Sequence, residues 1–356
     1  MKIELLVIFG GQSTEHEISN FSAFSVINTL DREKYNINKL GITKSGAFFL
    51  YEGREENIKT GQWAQDFKNL KPAYIIPEED GAKLLVKEKD KFEKRKIDVA
   101  FPVLHGQNGE DGTIQGLFML YKIPFVGCDM TSSAVCMDKV LTNTLSDYFN
   151  IPQAKWQAMT KKEYIDNPNK LNEIAELLSY PIFIKPARAG SSVGVTKAEN
   201  KDMLISGTEK AFQQDDKILF EEFIDGYEVE CAVLGNDDLI LGVPGQIKSA
   251  GTFYDYESKY KNAESKTIIP AEIDEKIQKE IMNWSKKIYF AMGCSGLSRV
   301  DFFVEKQTGK VKFNEINTIP GFTDISMYPK MIEKAGIEYE ELLNRLINLA
   351  KEKWSK

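Results

Sequence analysis

LSRVDFFVEKQTGKVKFNEIN, residues 297–317, is the stretch on which the reading of this chain turns. Side chains on a strand alternate between faces, so Arg299 and Asp301 share one face while Val300 and Phe302 share the other. The same period groups Glu315 with Asn317. Between the two runs, EKQTGK is turn-like, which predicts an antiparallel hairpin. If Asp301 lies opposite Glu315, then Arg299 lies opposite Asn317 and all four share a face. A slip of one residue would move one set to the wrong side. Oxygen donors from Asp, Glu and Asn suit Mg²⁺, a hard cation that takes a few protein oxygens and shares phosphate oxygens with its substrate. The other reading of the hairpin, taken alone, is a solvated polar face.

Outward from the hairpin, the pattern is that of a mixed α/β chain. Residues 3–9 form a continuous apolar strand, followed by GGQSTEHE and the helically spaced ISNFSAFSVINTL. Strand, glycine turn and helix open a parallel α/β sheet. Similar signals recur at 36–42 and 98–104, and the polar, lysine-rich stretch 51–96 reads as peripheral hairpins and helices. Helices are predicted near 131–149, 168–178, 272–291 and 337–352, with strands at YPIFIKP (180–186) and 217–223. The glycine-rich RAGSSVGV follows the first of these strands, and a polar insertion occupies 248–266.

Composition narrows the function classes. A chain of 356 residues suits two or three packed units, and 42% hydrophobic with 28% charged residues describes an ordinary globular protein. A net charge of −7 argues against a general nucleic-acid binder. No apolar run approaches the roughly 20 residues that span a bilayer, and MKIELLVIFGG reads as a buried strand, not a signal peptide. Cys128, Cys136, Cys231 and Cys294 are scattered without CxxC or zinc spacing, which reads as reduced thiols in a cytosolic protein. With only His16 and His105, a histidine-rich metal site is excluded.

GLSRVDFFV…FNEINTIPGFT resembles the metal-binding signature of the ATP-grasp ligases, and in detail that of the D-alanine–D-alanine ligase family. The other family phrases occur in order: IFGGQSTEHEIS, FPVLHGQNGEDGTIQG, CMDK, FIKPARAGSSVGV and FYDYESKY. The resemblance covers almost the whole chain. It implies a three-lobed ATP-grasp fold: an N-terminal parallel α/β domain at 1–130, a central lid domain at 131–220, and a C-terminal domain at 221–356. The last would carry the metal site and the substrate loop 248–266.

What each motif could do is partly open from the residues alone. Lys185 ends an apolar strand beside the glycine loop and Lys139 opens a helix; a lone lysine is by default a surface residue, but the resemblance assigns both to ATP phosphates. The run Gly190–Gly194 lets backbone N–H groups approach phosphate, although GxxxxGK[ST] occurs nowhere. By resemblance it is a mobile lid, with Ser192 toward ATP and Ser191 also toward the amino acid. Glu221 and Glu222 read as a solvated pair. Only the resemblance makes Glu221 and Glu228 adenine and ribose contacts, with Glu222 and Ile224 offering backbone groups. Glu15 follows the first strand at the mouth of the sheet and could receive a substrate ammonium or simply cap a helix. His105 lies in the loop LHGQNGEDG and is a better functional candidate than His16, which reads as structural or solvent-facing. Arg299 would stabilise the oxyanion of acyl transfer, and the backbone of Gly321, otherwise simply a turn glycine in IPGFT, could add an N–H to it. Lys259 and Tyr260 resemble the loop that closes over the site and excludes water from an acyl phosphate. The family links Glu15, Ser191 and Tyr260 in one hydrogen-bonded trio.

The function implied is ATP-dependent joining of two D-alanines through an acyl phosphate, giving the dipeptide used for peptidoglycan. Asp301, Glu315 and Asn317 would hold two Mg²⁺ ions, with Mn²⁺ as a substitute, in a cytoplasmic homodimer that takes no nucleic acid or membrane partner. The alternative is a D-alanine–D-serine ligase. D-lactate enzymes lack the Lys-Tyr kept here, and D-serine enzymes typically carry Arg where Met327 stands in TDISMYP. Ser326 and Met327 would line the second-substrate pocket, where the family's usual Ser-His is Asp324-Ile325. A regulator that has lost catalysis, or another ATP-grasp ligase, finds no positive feature in the sequence.

Overall fold

The structure, a computed structural model, describes residues 2–248, 266–323 and 325–354. Seventeen strands fall into three sheets among these residues. The first holds β1 (Ile3–Gly10), β2 (Tyr35–Ile42), β3 (Phe48–Tyr51), β4 (Leu70–Ile76), β5 (Lys83–Glu88), β6 (Lys91–Lys96) and β7 (Val99–Pro102), in the order β6-β5-β4-β3-β2-β1-β7. β1 is covered on both faces and reads as an unbroken apolar run for that reason. It pairs in parallel with β2 and β7, as a strand–helix–strand beginning requires. The stretch 51–96 is less peripheral than its polarity suggests. Its hairpins extend the same sheet in antiparallel fashion, and their charges blunt the outer strand KFEKRK at the exposed edge.

The second sheet contains β8 (Trp156–Thr160), β9 (Ile182–Pro186), β10 (Thr196–Ala198) and β11 (Lys217–Glu222), ordered β10-β9-β11-β8 and antiparallel throughout. The third contains β12 (Gly226–Gly235), β13 (Ile240–Leu241), β14 (Gly245–Lys248), β15 (Lys266–Ile268), β16 (Gly296–Glu305) and β17 (Val311–Asn317). Its order is β15-β14-β12-β16-β17, with β13 beside β12. The chain passes from the second sheet to the third between Glu222 and Gly226, so a boundary at 220 falls inside β11.

The helix expected over 131–149 is two helices, Met130–Met137 and Lys139–Tyr148. Asp138 separates them: its backbone is extended, and its carboxylate accepts the N–H groups of Val140 and Leu141 at 3.1 and 3.2 Å. An Asp in that role starts a helix and cannot continue the previous one.

Core packing groups the sheets in two ways. Leu5, Val7 and Phe9 of β1 share one apolar cluster with Ala232, Leu234 and Tyr328 and with Leu342 and Leu346 of the C-terminal helix Tyr339–Trp354. The first and third sheets are thus joined through a common core. The second sheet has its own cluster, built from residues such as Ile184, Phe220 and Leu171. That separation sets β9, β11 and the glycine loop after β9 as a distinct wall over the third sheet.

Candidate active site

A cavity of about 1140 Å³ lies where the walls meet, lined by the second and third sheets and by the segments that follow β1 and β7, which bring Glu15, Ile18, His105 and Glu110. Its floor is the hairpin. β16 and β17 pair with Arg299 opposite Asn317 and Asp301 opposite Glu315, a register the sequence allows. Past this point the register shifts, and Phe302 pairs with Phe313, leaving Asn314 as the extra residue of a bulge. The bulge resets the alternation. Strict period two would put Phe313 on the face of Glu315 and Asn317; instead Phe313 packs into the apolar cluster with Phe302 and meets the cavity from there, beside Asn314, Glu315 and Asn317.

On this floor Arg299 donates through Nε to Asp301 Oδ1 at 2.8 Å and through Nη2 to Oδ2 at 2.7 Å. Glu230, on β12 opposite Asp301, lies 3.1 Å from the same Nε. Burial pushes against charge on the guanidinium, but Asp301 and Glu230 outweigh it and raise its pKa well above the ordinary value. Asn317 donates to Asp301 Oδ2 at 3.1 Å.

The opposite wall brings cations. Lys185, at the end of β9, lies 2.5 Å from Glu221 Oε2 and 3.4 Å from Asn314 Oδ1. Burial works against its charge, and Glu221 more than compensates, so its pKa is raised. Glu221 also accepts from Asn143 at 3.2 Å. Lys139 donates to Ala189 O at 2.9 Å at the base of the glycine loop. Ser191 and Ser192 in that loop hold positive φ of 50° and 58°, a region that side chains other than glycine seldom adopt. Glu222, by contrast, turns its carboxylate and its N–H to the backbone of Lys155, each at 2.9 Å. Glu228 and Ile224 line the cavity.

The third corner is built on Glu15. It precedes the helix His16–Thr29 but makes no side-chain capping bond; its carboxylate accepts the Ser191 hydroxyl at 2.5 Å. Of the two readings of Glu15, the cap is the one the geometry disfavours. Gly106 and Gly190 flank this carboxylate so closely that a Cβ on either would lie 2.6 or 2.9 Å from Glu15 Oε2. Glu110 accepts N–H groups from Gly106 at 2.8 Å and Ile319 at 3.1 Å. Burial, reinforced by Glu15, pushes its pKa up to about 8. His105 lines the cavity, with Nδ1 at 3.0 Å from Ile319 O and Nε2 at 3.0 Å from Ser22 Oγ. Burial lowers its pKa, so it is a neutral ring tying two loops together. His16 is buried against Gly11 O and Trp63, so of its two readings the structural one holds.

Two family models match the chain: the D-ala D-ala ligase N-terminus over residues 4–128 and the D-ala D-ala ligase C-terminus over 145–348. The chain belongs to the D-alanine–D-alanine ligase family. It is 48% identical to D-alanine–D-alanine ligase B of Clostridium tetani over 98% of this chain and 94% of the relative. It is 47% identical to the D-alanine–D-alanine ligase of Acetivibrio thermocellus, over 99% and 97%. Among solved structures, the VanG D-Ala:D-Ser ligase from Enterococcus faecalis superposes with a TM-score of 0.89 at 43% identity, covering 98% of this chain and all of that one. The D-alanine–D-alanine ligase from Coxiella burnetii gives 0.87 at 34%, over 99% and 95%. These likenesses establish the three-lobed ATP-grasp architecture for this member of the ligase family.

At the remaining positions, this ligase-family chain places Gly321, Ser326 and Met327 along the cavity. Ser326 Oγ accepts the Thr323 N–H at 3.1 Å, and a Cβ on Gly321 would come within 2.8 Å of the same oxygen. Met327 is largely buried, its methyl packed where Gly245 leaves room. Lys259, Tyr260 and Asp324 lie outside the described residues. Sequence reading missed Phe183, Phe223, Lys197, Asn314 and Glu230, all of which line the cavity. Phe183 was findable, because period two puts it on the face of Lys185. Phe223, just past the end of β11, carries Lys197 Nζ of β10 at 4.9 Å over its ring, a contact between segments remote in sequence that no local pattern records. No helix among the described residues is long and apolar enough to cross a membrane.

Proposed function

We propose that the chain joins two D-alanines at the expense of ATP, through an acyl phosphate, to give D-alanyl-D-alanine for peptidoglycan. The observation that carries this reading is the single face Arg299–Asp301–Glu315–Asn317: Arg299, Glu315 and Asn317 line one cavity with Lys139, Lys185 and the Glu15–Ser191 contact, and Asp301 lies beside them, accepting from Arg299 and Asn317. Lys139 and Lys185 lie where phosphate oxygens would be neutralised, and Glu221, Glu222, Ile224 and Glu228 edge the nucleotide end with Ser192 above. The donor set fits Mg²⁺, which takes one or two carboxylates plus phosphate oxygens: Asp301 and Glu315 are paired across the hairpin, with Asn317 two residues along. Bound by Asp301, Glu315 and Asn317, it would supply neutralisation of phosphate charge. Two such ions, Mn²⁺ as a substitute, a homodimer and a cytoplasmic location belong to the same reading.

In this scheme the carboxylate of the first D-alanine takes the γ-phosphoryl group and ADP leaves. Glu15 holds the ammonium of that D-alanine. The amine of the second attacks the acyl carbon, Arg299 and the Gly321 N–H stabilise the tetrahedral oxyanion, and phosphate departs. His105, Ser326 and Met327 frame the amino-acid end. The test is mass spectrometry of products from ATP and D-alanine, alone and with D-serine or D-lactate competing. D-serine is included because a solved D-Ala:D-Ser ligase is 43% identical to this chain. D-alanyl-D-alanine with equal ADP and phosphate is expected. A dominant mixed product, or phosphate release that is the same without D-alanine, refutes the proposal.

A further inference from the structure

We infer that Glu230 is a positioning residue for Arg299, holding the guanidinium by a contact that does not depend on Asp301. The strand register states the geometry. Glu230 of β12 lies opposite Asp301 of β16, which lies opposite Glu315 of β17, so three carboxylates form a row across three strands. Arg299 sits one pair along, opposite Ala232 on one side and Asn317 on the other. Ala232 is small, so the guanidinium can lie over β12 and reach diagonally to Glu230, a distance that long side chains span in an antiparallel pair. Nε stands 2.8 Å from Asp301 Oδ1 and 3.1 Å from Glu230 Oε2.

The reason for a second anchor rests on the ligase reading. Asp301 has two claims on its oxygens, the arginine and the expected cation. A carboxylate oxygen that turns to a cation weakens its hydrogen bond to a guanidinium, and an arginine anchored there alone would loosen as the metal–nucleotide complex arrived. Glu230 is on the far side of Asp301 from Glu315 and Asn317, where it can keep Arg299 in place without joining the cation's ligand set. Only about 6% of Glu230 is exposed. A buried carboxylate is costly unless paired, and here the pairing is with the group whose position matters.

The experiment uses the full chain with E230Q, E230A, R299K and D301N. Steady-state rates are measured alongside ¹⁵N spectra of the arginine side chains with Mg²⁺ and ADP bound, the Arg299 Nε–H signal being assigned by its loss in R299K. Expected are a kcat lower by about tenfold in E230Q and up to about a hundredfold in E230A, the range for residues that orient a catalytic group. The KM for ATP should stay within about twofold of wild type. The Arg299 Nε–H should exchange with solvent faster in E230Q, although its acceptor Asp301 Oδ1 is intact there, and also in D301N, where that acceptor is weakened. E230A with kcat within about twofold of wild type, or unchanged Nε–H exchange in E230Q, overturns the inference. Should E230A fail to fold, E230Q, which keeps the size and one acceptor oxygen, carries both readouts. Wild type that makes no dipeptide overturns the ligase reading itself; wild type that makes it while E230Q matches it overturns only the role of Glu230.

Discussion

Replacing Gly106 by alanine should damage the amino-acid end of the site without touching a charged residue. Gly106 has φ of +69°, and its added Cβ would lie 2.6 Å from Glu15 Oε2 and 2.8 Å from Ser13 Oγ. To reach an ordinary contact near 3.4 Å, the carboxylate must retreat by roughly 0.8 Å, about a third of its 2.5 Å bond to Ser191. A charge-assisted hydrogen bond contributes about 1.5–3 kcal/mol, so its loss should raise the KM for D-alanine about tenfold to a hundredfold. Alanine in the left-handed region costs a further ~1–2 kcal/mol, which appears as a lower melting temperature. Gly190→Ala separates the two effects. Its Cβ would lie 2.9 Å from the same oxygen, but its φ is outside the left-handed region. G190A should therefore raise the D-alanine KM with little loss of stability, and both variants should leave the ATP KM near wild type. The assay is ADP release titrated with each substrate, with differential scanning fluorimetry in parallel. If both variants keep the D-alanine KM within about twofold of wild type, Glu15 does not receive the substrate ammonium.

Other predictions follow from the buried charges. Lys185→Met leaves Glu221 buried without its cation and should destabilise the protein by about 3–5 kcal/mol, whereas K185M/E221Q should recover a large part of it; urea unfolding without nucleotide measures both. Glu110 has its pKa raised from 4.5 to about 8, so the folded chain keeps a proton there that the unfolded chain releases. Stability at this site is therefore fully present below pH 4.5 and lost as pH rises toward 8, at up to about 1.4 kcal/mol per pH unit. E110Q should flatten that decline in a pH series of melting temperatures, and an unchanged slope refutes the assignment. Asp301→Asn should raise the Mg²⁺ concentration needed for half-maximal activity by about tenfold or more, read by titrating Mg²⁺ at saturating ATP.

The relation between chain and fold differs from place to place. Residues 3–9 declared a buried parallel strand because a strand covered on both faces needs apolar residues at every position. The hairpin's shared face was legible from the period of two, whereas registers two residues apart keep that face equally well, so the pairing of Asp301 with Glu315 was decided by the structure. The break at Asp138 was visible in principle, as an Asp followed by a helical run. The placement of His105 was not, since its partners Ser22 and Ile319 lie far away along the chain.

What the sequence by itself determined was the identity and spacing of the chemical groups: the donors on β16 and β17, the lysine ending β9, the glycine-rich loop after it, and through them the ligase family. These are local properties, set by alternation and turn chemistry within one element. The tertiary structure decided what those groups do to one another. The bulge at Asn314 turned Phe313 into the core while keeping Glu315 at the cavity, the register of β12 brought Glu230 to Arg299, and packing across the chain set Ser191 on Glu15. Each depends on the distance between segments remote in sequence, which only the packed core fixes.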